Sequence, residues 1–333
     1  MSSAPLGLAV IGTGAMGTRH AENIAHAVPD ARLIAVHDPN AESAVRIATS
    51  LGCTQSPRLD ALLARDDVQA VVIASPPRFH AEHAIAAARA GKHIFLEKPM
   101  ALTLQDADAI IAAADSAAVR LQVGFMRRYD PASAEAQARI RTGDIGEPRL
   151  FKGIDRDKDA PTGPPGSLPR AAILTDSAIH DFDLARWLMA DEVVAVRATI
   201  AVVGDRRTIP GPNVALVDLR FTRGALGNVE TIHGARYGYD IRAEIVGTEG
   251  TLLIGGHHKT ALQLLTASGA HHDLTGNWLD RFGDAYLLEM RDFVRATLDG
   301  RPPYVTADDG RRALAIALAA DSAGERGTEV ALS

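Results

Sequence analysis

The sequence predicts an α/β protein in two parts: a doubly wound parallel sheet over residues 1–125, and an α+β domain with a mostly antiparallel sheet over residues 126–333. Three observations predict it. Up to residue 125, short apolar runs alternate with alanine-rich amphipathic stretches. Beyond that point, strands follow one another with turn residues between them. A chain of 333 residues is also long for one hydrophobic core and suits two domains.

Residues 6–11 read as a buried strand, 15–28 as a helix and 33–36 as a second strand, which makes a β-α-β unit. The alternation continues through a β-branched run at 68–74, a helix at 81–90, a strand at 93–96, a helix at 104–118 and a strand at 121–124. Apolar runs without polar alternation must be covered on both faces, and crossover helices provide that cover in parallel sheets. After Phe125 the pattern gives a helix at 131–141, a proline- and glycine-rich stretch at 160–169 and a helix at 176–189. Strands follow at 193–203, 213–221, 225–233, 242–246 and 251–254. Helices return at 281–298 and 308–323.

With 47% hydrophobic and 23% charged residues, the composition is that of a folded globular protein. The net charge of -6, spread without a basic block, argues against a nucleic-acid partner. Cys53 is the only cysteine, so an intrachain disulfide and a cysteine metal cluster are excluded. The opening residues lack a cationic segment followed by a long apolar one, and no later run is apolar enough to span a bilayer, so a cytoplasmic protein with no membrane partner is expected.

Gly12-Thr13-Gly14-Ala15-Met16-Gly17 follows the first strand and opens the first helix, the setting in which a glycine pattern reads as a dinucleotide fingerprint. Gly12 permits the tight turn, Gly14 lets backbone approach a pyrophosphate, and Gly17 lets the helix pack close to the strand. The helix N-terminus adds N–H donors and positive potential. Asp38 follows the second strand, where its carboxylate can accept from a ribose hydroxyl and repel a 2'-phosphate, so NAD is expected over NADP. An aspartate before Pro39 would also suit a simple turn.

Glu97-Lys98-Pro99 puts a lysine at the carboxyl end of a strand, where open parallel sheets bind ligands. Asp176 and His180 are four apart on a predicted helix, with Asp183 a turn further, so their side chains share one face. Metal-free oxidation of an alcohol needs a base for the hydroxyl proton, and His180 suits that role near neutral pH. Lys98 would favour the developing alkoxide, and Asp176 would orient its cationic neighbours. Asp176 would equally serve as a helix cap. The pairs His257–His258 and His271–His272 lie in turn-like surroundings without the spacing of a zinc site, and are expected in solvated loops.

Taken together, these residues resemble the oxidoreductase family named after glucose-fructose oxidoreductase, inositol dehydrogenase and a rhizopine-catabolism protein (Gfo/Idh/MocA). The fingerprint, Ser75-Pro76-Pro77 with His80, and Glu97-Lys98-Pro99 match its N-terminal pattern, and the Asp176–His180 spacing matches its catalytic helix. The segments 122–130, 145–148, 237–241 and 244–247 look like those of bacterial inositol 2-dehydrogenases. The resemblance implies a Rossmann domain, with Ser75, Pro76, His80 and Glu97 among the cofactor-binding residues. It also implies a second domain built on a large open sheet through which a tetramer assembles.

The activity it implies is NAD-dependent oxidation of a ring secondary alcohol to a ketone, with Lys98, Asp176 and His180 as the catalytic set. Arg127, Asp155, Asp157, Asp183, Tyr237 and Tyr239 would stand near the substrate. This chain has Asp155 and Asp157 where those dehydrogenases tend to have histidine and asparagine. Carboxylates suit vicinal hydroxyls and disfavour anionic substrates. Other readings left open by the residues are an aldose or anhydrosugar dehydrogenase, an NAD-assisted glycosidase and a non-catalytic NAD-binding regulator.

Overall fold

The unbroken apolar run Leu6–Ile11 forms the first strand, β1, of a computed structural model that describes residues 4–256 and 258–332. It is followed by α1 (Ala15–Ala27), β2 (Ala31–His37), α2 (Ala41–Leu51), β3 (Thr54–Gln55), α3 (Leu59–Leu63), β4 (Ala70–Ile73), α4 (His80–Arg89), β5 (His93–Glu97), α5 (Leu104–Ser116) and β6 (Leu121–Gly124). The six strands are all parallel, in the order β3-β2-β1-β4-β5-β6. The order reverses between β1 and β4, which opens a crevice at their carboxyl ends.

Local chemistry sets the helix ends. The Asn40 side chain accepts from Ser43 N–H to start α2, and Gly52, at φ +66°, ends it in the left-handed region. Thr103 caps α5 by accepting from Asp106 N–H. The sequence reading contains neither α2 nor the short α3.

The chain next forms α6 (Pro131–Thr142), β7 (Pro148–Asp157) and α7 (Ile179–Met189), with a π-helical turn, Leu174–Ala178, leading into α7. Then come β8 (Val193–Ala201), β9 (Val214–Phe221), β10 (Leu226–His233), β11 (Asp240–Gly247), β12 (Thr251–Ile254) and an exposed hairpin of β13 (Leu264–Thr266) and β14 (Gly269–His271). The last elements are α8 (Trp278–Leu298), α9 (Ala307–Arg326) and β15 (Val330–Ala331).

Seven strands make the second sheet, in the order β12-β11-β7-β10-β9-β8-β15, and every pair is antiparallel except β7 with β10. The sequence reading lacks β7, the strand third from the sheet's β12 edge. Along β9 buried and exposed residues alternate, so one face is covered and the other open. On the covered face Phe151, Val217, Leu219 and Phe221 cluster with Phe182, Ala185 and Leu188 of α7 and with Ile316, Ala317 and Ala320 of α9.

The chain divides into two compact units, one comprising residues to Met126 with Asp284–Leu314, the other Arg127–Gly283 with the chain from Ala315 onward. Residues 284–314, which the linear reading leaves in the second domain, therefore group with the first. Met290, Phe293 and Val294 pack with Leu8, Val10, Val36, Val72 and Phe95 in its core. Among the described residues no helix is long and apolar enough to cross a membrane.

At Gly153 in β7 an added Cβ would sit 2.6 Å from Asp181 Oδ1 on α7. Gly153→Ala should therefore destabilise the protein by about 1–3 kcal/mol through overpacking, read as a lower urea midpoint at unchanged slope. An unchanged midpoint would show that α7 can retreat from the strand without cost.

Candidate active site

At the crevice of the first unit, three glycines do different work. Gly12 has φ +97°, and a Cβ there would meet Ala74 O and Ser75 N at 2.6 Å, so the turn leaves no room for a side chain. A Cβ on Gly17 would lie 1.8 Å from Gly12 O, which is how closely α1 packs on the turn. Gly14 has nothing within 4 Å of its would-be Cβ, leaving open space over the start of α1. That helix has no side-chain cap and no acidic residue in its first turn, so its N–H donors and dipole face an anion unopposed. A cavity of 670 Å³ lies here, lined by Gly12, Gly14, Met16, Asp38, Ser75 and Pro76 among others, and large enough for a dinucleotide's mononucleotide half. Arg78 and Phe79 also line it, with the Arg78 guanidinium 4.6 Å from the Phe79 ring centre.

Asp38 accepts from Thr13 N–H (2.7 Å), Thr13 Oγ1 (3.0 Å) and Asn40 N–H (2.8 Å). Partial burial acts to raise its pKa, but these bonds outweigh it and hold the carboxyl below its ordinary range. Asp38 is thus an ionised, immobilised acceptor at the crevice, and Thr13 is its anchor. The residues present fit NAD: the start of α1 would suit a pyrophosphate and the Asp38 carboxylate a ribose hydroxyl.

Other expected cofactor residues turn inward. His80 is 1% exposed, with Nδ1 2.8 Å from Pro99 O and Nε2 2.8 Å from Ser75 O. Glu97 is also buried, with Oε1 2.7 Å from His20 Nε2 and Oε2 accepting from Lys98 N–H at 3.2 Å. His20 and Glu289, absent from the sequence reading, join Glu97 in a buried trio whose polar atoms lie within 4.8 Å of one another. Glu289 on α8 is fully buried, and neither carboxyl oxygen has a hydrogen-bond partner among the described residues. Burial, reinforced by the Glu97 charge, pushes its pKa well above the usual value.

The second unit carries the acid–imidazole helix. The expected regular helix over 176–189 is instead a π-helical turn holding Asp176, joined to α7, whose second residue is His180. Such turns recur at functional sites because they shift side chains off the regular helical lattice. Asp176 is exposed, whereas His180 is buried.

Two of the expected substrate residues bind each other. The buried Arg127 guanidinium donates to Asp155 Oδ2 (2.6 Å) on β7 and to Asp181 Oδ2 (2.8 Å) on α7. Burial opposes its charge, but those two carboxylates more than restore it. Asp181 is pushed upward by burial and by Asp155, against the pull of Arg127. Asp157, two residues along the same strand face, forms no such ion pair among the described residues. Burial and Asp155 raise its pKa, Asp176 adds to the effect, and His233 opposes it. Tyr239 is buried, with its ring edge on Phe282 at 6.3 Å and its pKa raised by burial and Asp155.

Asp183 and Tyr237 have other bonds to account for. Asp183 accepts both arms of the Arg128 guanidinium, at 2.9 and 2.6 Å, in a buried pair. The Tyr237 hydroxyl donates to Asp240 Oδ2 (2.7 Å) and accepts from Arg156 (3.2 Å), on a half-exposed ring. Of the histidine pairs, His257 lies outside the described residues, His258 and His272 approach at 3.7 Å between ring centres, and His271 ends β14 rather than lying in a loop.

A glycine turn beneath an uncapped helix, with a fixed carboxylate just past the end of the next strand, is how Rossmann-fold proteins hold a dinucleotide. The class is therefore a dinucleotide-binding α/β protein with an α+β partner unit. Comparison with known proteins narrows it. Residues 6–125 match the NAD-binding Rossmann-fold domain of the Gfo/Idh/MocA oxidoreductases and residues 133–253 match their C-terminal domain, so the chain belongs to that family.

Among its relatives, the scyllo-inositol 2-dehydrogenase (NAD(+)) of Bacillus subtilis is 36% identical over 335 residues, covering 97% of this chain and 95% of that protein. The myo-inositol 2-dehydrogenase of Thermotoga maritima is 35% identical, covering 98% of each. The crystal structure of Lactobacillus casei myo-inositol dehydrogenase in complex with NAD(H) and myo-inositol superposes with a TM-score of 0.91 at 27% identity, over 99% of this chain and 97% of that one.

The unsatisfied Glu289 carboxyl gives a pH test. Its folded pKa lies above the unfolded value, so its protonated form contributes fully below about pH 4.5 and that contribution is lost as pH rises through the folded pKa. Glu289→Gln keeps the shape and removes the titration. The variant's melting temperature should gain on the parent's as pH rises from about 5 to about 8. A gap that does not change with pH would show that Glu289 is not held protonated.

Proposed function

We propose that this protein is an NAD-dependent dehydrogenase that oxidises a ring secondary alcohol of a cyclic polyol or sugar to a ketone. What carries the reading is similarity along nearly the whole chain to inositol dehydrogenases, one of them in complex with NAD(H) and myo-inositol. The fixed Asp38 carboxylate and the open Gly14 turn support NAD as cofactor, and the charge on Asp38 supports NAD over NADP. A cytoplasmic homotetramer assembled through the open sheet is part of the same proposal, as are the roles of the individual residues below.

Bound NAD would supply the hydride acceptor. His180 takes the hydroxyl proton at an imidazole nitrogen, Lys98 donates a hydrogen bond to the same oxygen as negative charge develops, and Asp176 orients and stabilises these cations. Asp157 accepts from ring hydroxyls. Arg127 is shared by Asp155 and Asp181, so one buried cation partly compensates two buried carboxyls. Tyr239 and Tyr237 stand near the substrate. The excess of carboxylates favours neutral polyols and disfavours uronates and hydroxy acids.

The reading is tested by following NADH formation over a panel of inositols, aldoses and anhydrosugars, with turnover expected on at least one cyclic polyol or sugar. Silence with all of them would reject it. On the active substrate, Lys98→Ala and His180→Ala should each lower kcat by about 100-fold or more while NAD affinity stays within a few-fold. Wild-type turnover in either variant would reassign that residue.

Asp38→Asn, which keeps the shape and removes the charge, should move the NAD to NADP ratio of kcat/KM toward NADP by about tenfold or more. An unchanged ratio would place cofactor discrimination elsewhere.

A further inference from the structure

Lys98 carries a long flexible side chain, so its ammonium can be placed only as well as its backbone is held. Both of its chain neighbours are gripped by buried imidazoles. On one side His20 Nε2 lies 2.7 Å from Glu97 Oε1, while Glu97 Oε2 accepts the Lys98 N–H itself. On the other, His80 Nδ1 lies 2.8 Å from the carbonyl oxygen of Pro99. His20 is 0% exposed and His80 1%, so neither bond competes with water.

The first grip is itself enclosed. The His20 ring meets Phe95 edge-on at 5.0 Å and Tyr286 at 6.2 Å. At Gly124 an added Cβ would be 3.3 Å from the Glu97 carboxyl. Glu289 closes the trio, and burial together with the Glu97 charge raises its pKa and so favours its neutral form. The second ring also lies beside the cofactor crevice, with His80 Nε2 2.8 Å from the carbonyl oxygen of Ser75, which lines that cavity; both carbonyls only accept, so either neutral tautomer bonds one of them, and bonding both takes the imidazolium that burial disfavours.

We propose that His20 and His80 are positioning residues for Lys98. His20 fixes it through Glu97, and His80 fixes it through Pro99 while lying against the Ser75 turn of the cofactor crevice. Neither imidazole need touch substrate or NAD. The lysine's role rests on the function proposed above, but the mechanical claim, that these two rings set where Lys98 stands, does not.

Side-chain substitutions separate the two grips. Glutamine extends an amide to about the position of a histidine Nε2, and asparagine to about that of Nδ1. His80→Gln thus keeps the contact with Ser75 O and loses the one with Pro99 O, and His80→Asn does the reverse. His80→Gln should lower kcat by about tenfold or more with the Kd for NAD near the parent value. His80→Asn should weaken NAD binding several-fold and lose less kcat. His20→Leu should lower kcat without moving the Kd for NAD, and His20→Gln should recover most of the loss. Equal changes in kcat and Kd in the two His80 variants, or no rescue by His20→Gln, would overturn the proposal.

A readout independent of substrate keeps the two readings apart. Reductive methylation with a carbon-13 label reports each lysine by NMR, and assignment by Lys98→Arg distinguishes Lys98 from Lys92, Lys152, Lys158 and Lys259. The Lys98 resonance should shift or broaden in folded His20→Gln and His80→Gln proteins, and the other lysines should stay in place. A shift with no polyol oxidised would sink the substrate reading alone. An unmoved Lys98 resonance in both variants would sink the positioning role, even in an active enzyme.

Discussion

The first unit depends on backbone meeting backbone at the point where strand order reverses. The Gly12 turn is pressed against Ala74 and Ser75 after β4, and α1 is pressed against the Gly12 carbonyl at Gly17. Neither approach tolerates a methyl group. The same closeness leaves α1 starting at the floor of the crevice with open space beside Gly14, and among the described residues no side chain caps its first turn. Packing and anion recognition there are one constraint seen from two sides. Asp38 completes it, since the carboxylate that would meet a ribose is held by the backbone and hydroxyl of Thr13 within the same turn.

The second unit is organised around a buried charge balance. Arg127 shares its guanidinium between β7 and α7, and removing one partner of such an arrangement leaves an uncompensated buried ion, at a cost of about 3–5 kcal/mol. The pair of Arg128 with Asp183 repeats the device one residue along the chain. Consecutive arginines therefore fasten the segment leading to α6 to both the sheet and the helix bearing His180. On the function proposed above, this stiffness would serve His180, because a base can be aimed only from an element that does not move. It also explains why Arg127, Asp155 and Asp183, all expected to face substrate, spend much of their hydrogen-bonding capacity on one another and on Arg128 and Asp181.

Much of this was legible in the residues. The parallel sheet followed from apolar runs at strand length, and the cofactor turn from glycines in a strand-to-helix setting. The strands from β8 to β12 were readable because one face is open, which leaves alternation in the sequence. β7 was not readable, because Arg149, Lys152, Asp155, Arg156 and Asp157 give it the composition of a solvated loop. Their partners, Arg127 for Asp155 and Glu230 for Arg156, are 28 and 74 residues away and visible only in three dimensions. The polar start of α2 concealed a helix that its Asn40 cap and Gly52 stop could have signalled. The π-helical turn at Asp176 carries no local signature, since four-residue spacing looks the same on either kind of helix.

His20 and Glu289 were missed for a different reason. On a helix read from sequence, a lone histidine or glutamate is most simply assigned to solvent, and burial of an acid with no partner runs against the cost of desolvation. That cost tells what the arrangement must do in return. Burial pushes Glu289 toward its neutral form, and His20 avoids the cost by meeting Glu97, so the trio holds a hydrogen-bonded pair beside an acid whose pKa is raised. A cheaper core of leucines could fill the same volume, but it could not hold Glu97 in one orientation or offer a fixed acceptor to the Lys98 backbone. Where a flexible ammonium must be delivered to one point, a directional polar contact in the core is the physical means of doing so, and the stability it forgoes is supplied by the apolar packing of β1, β4 and β5 around it.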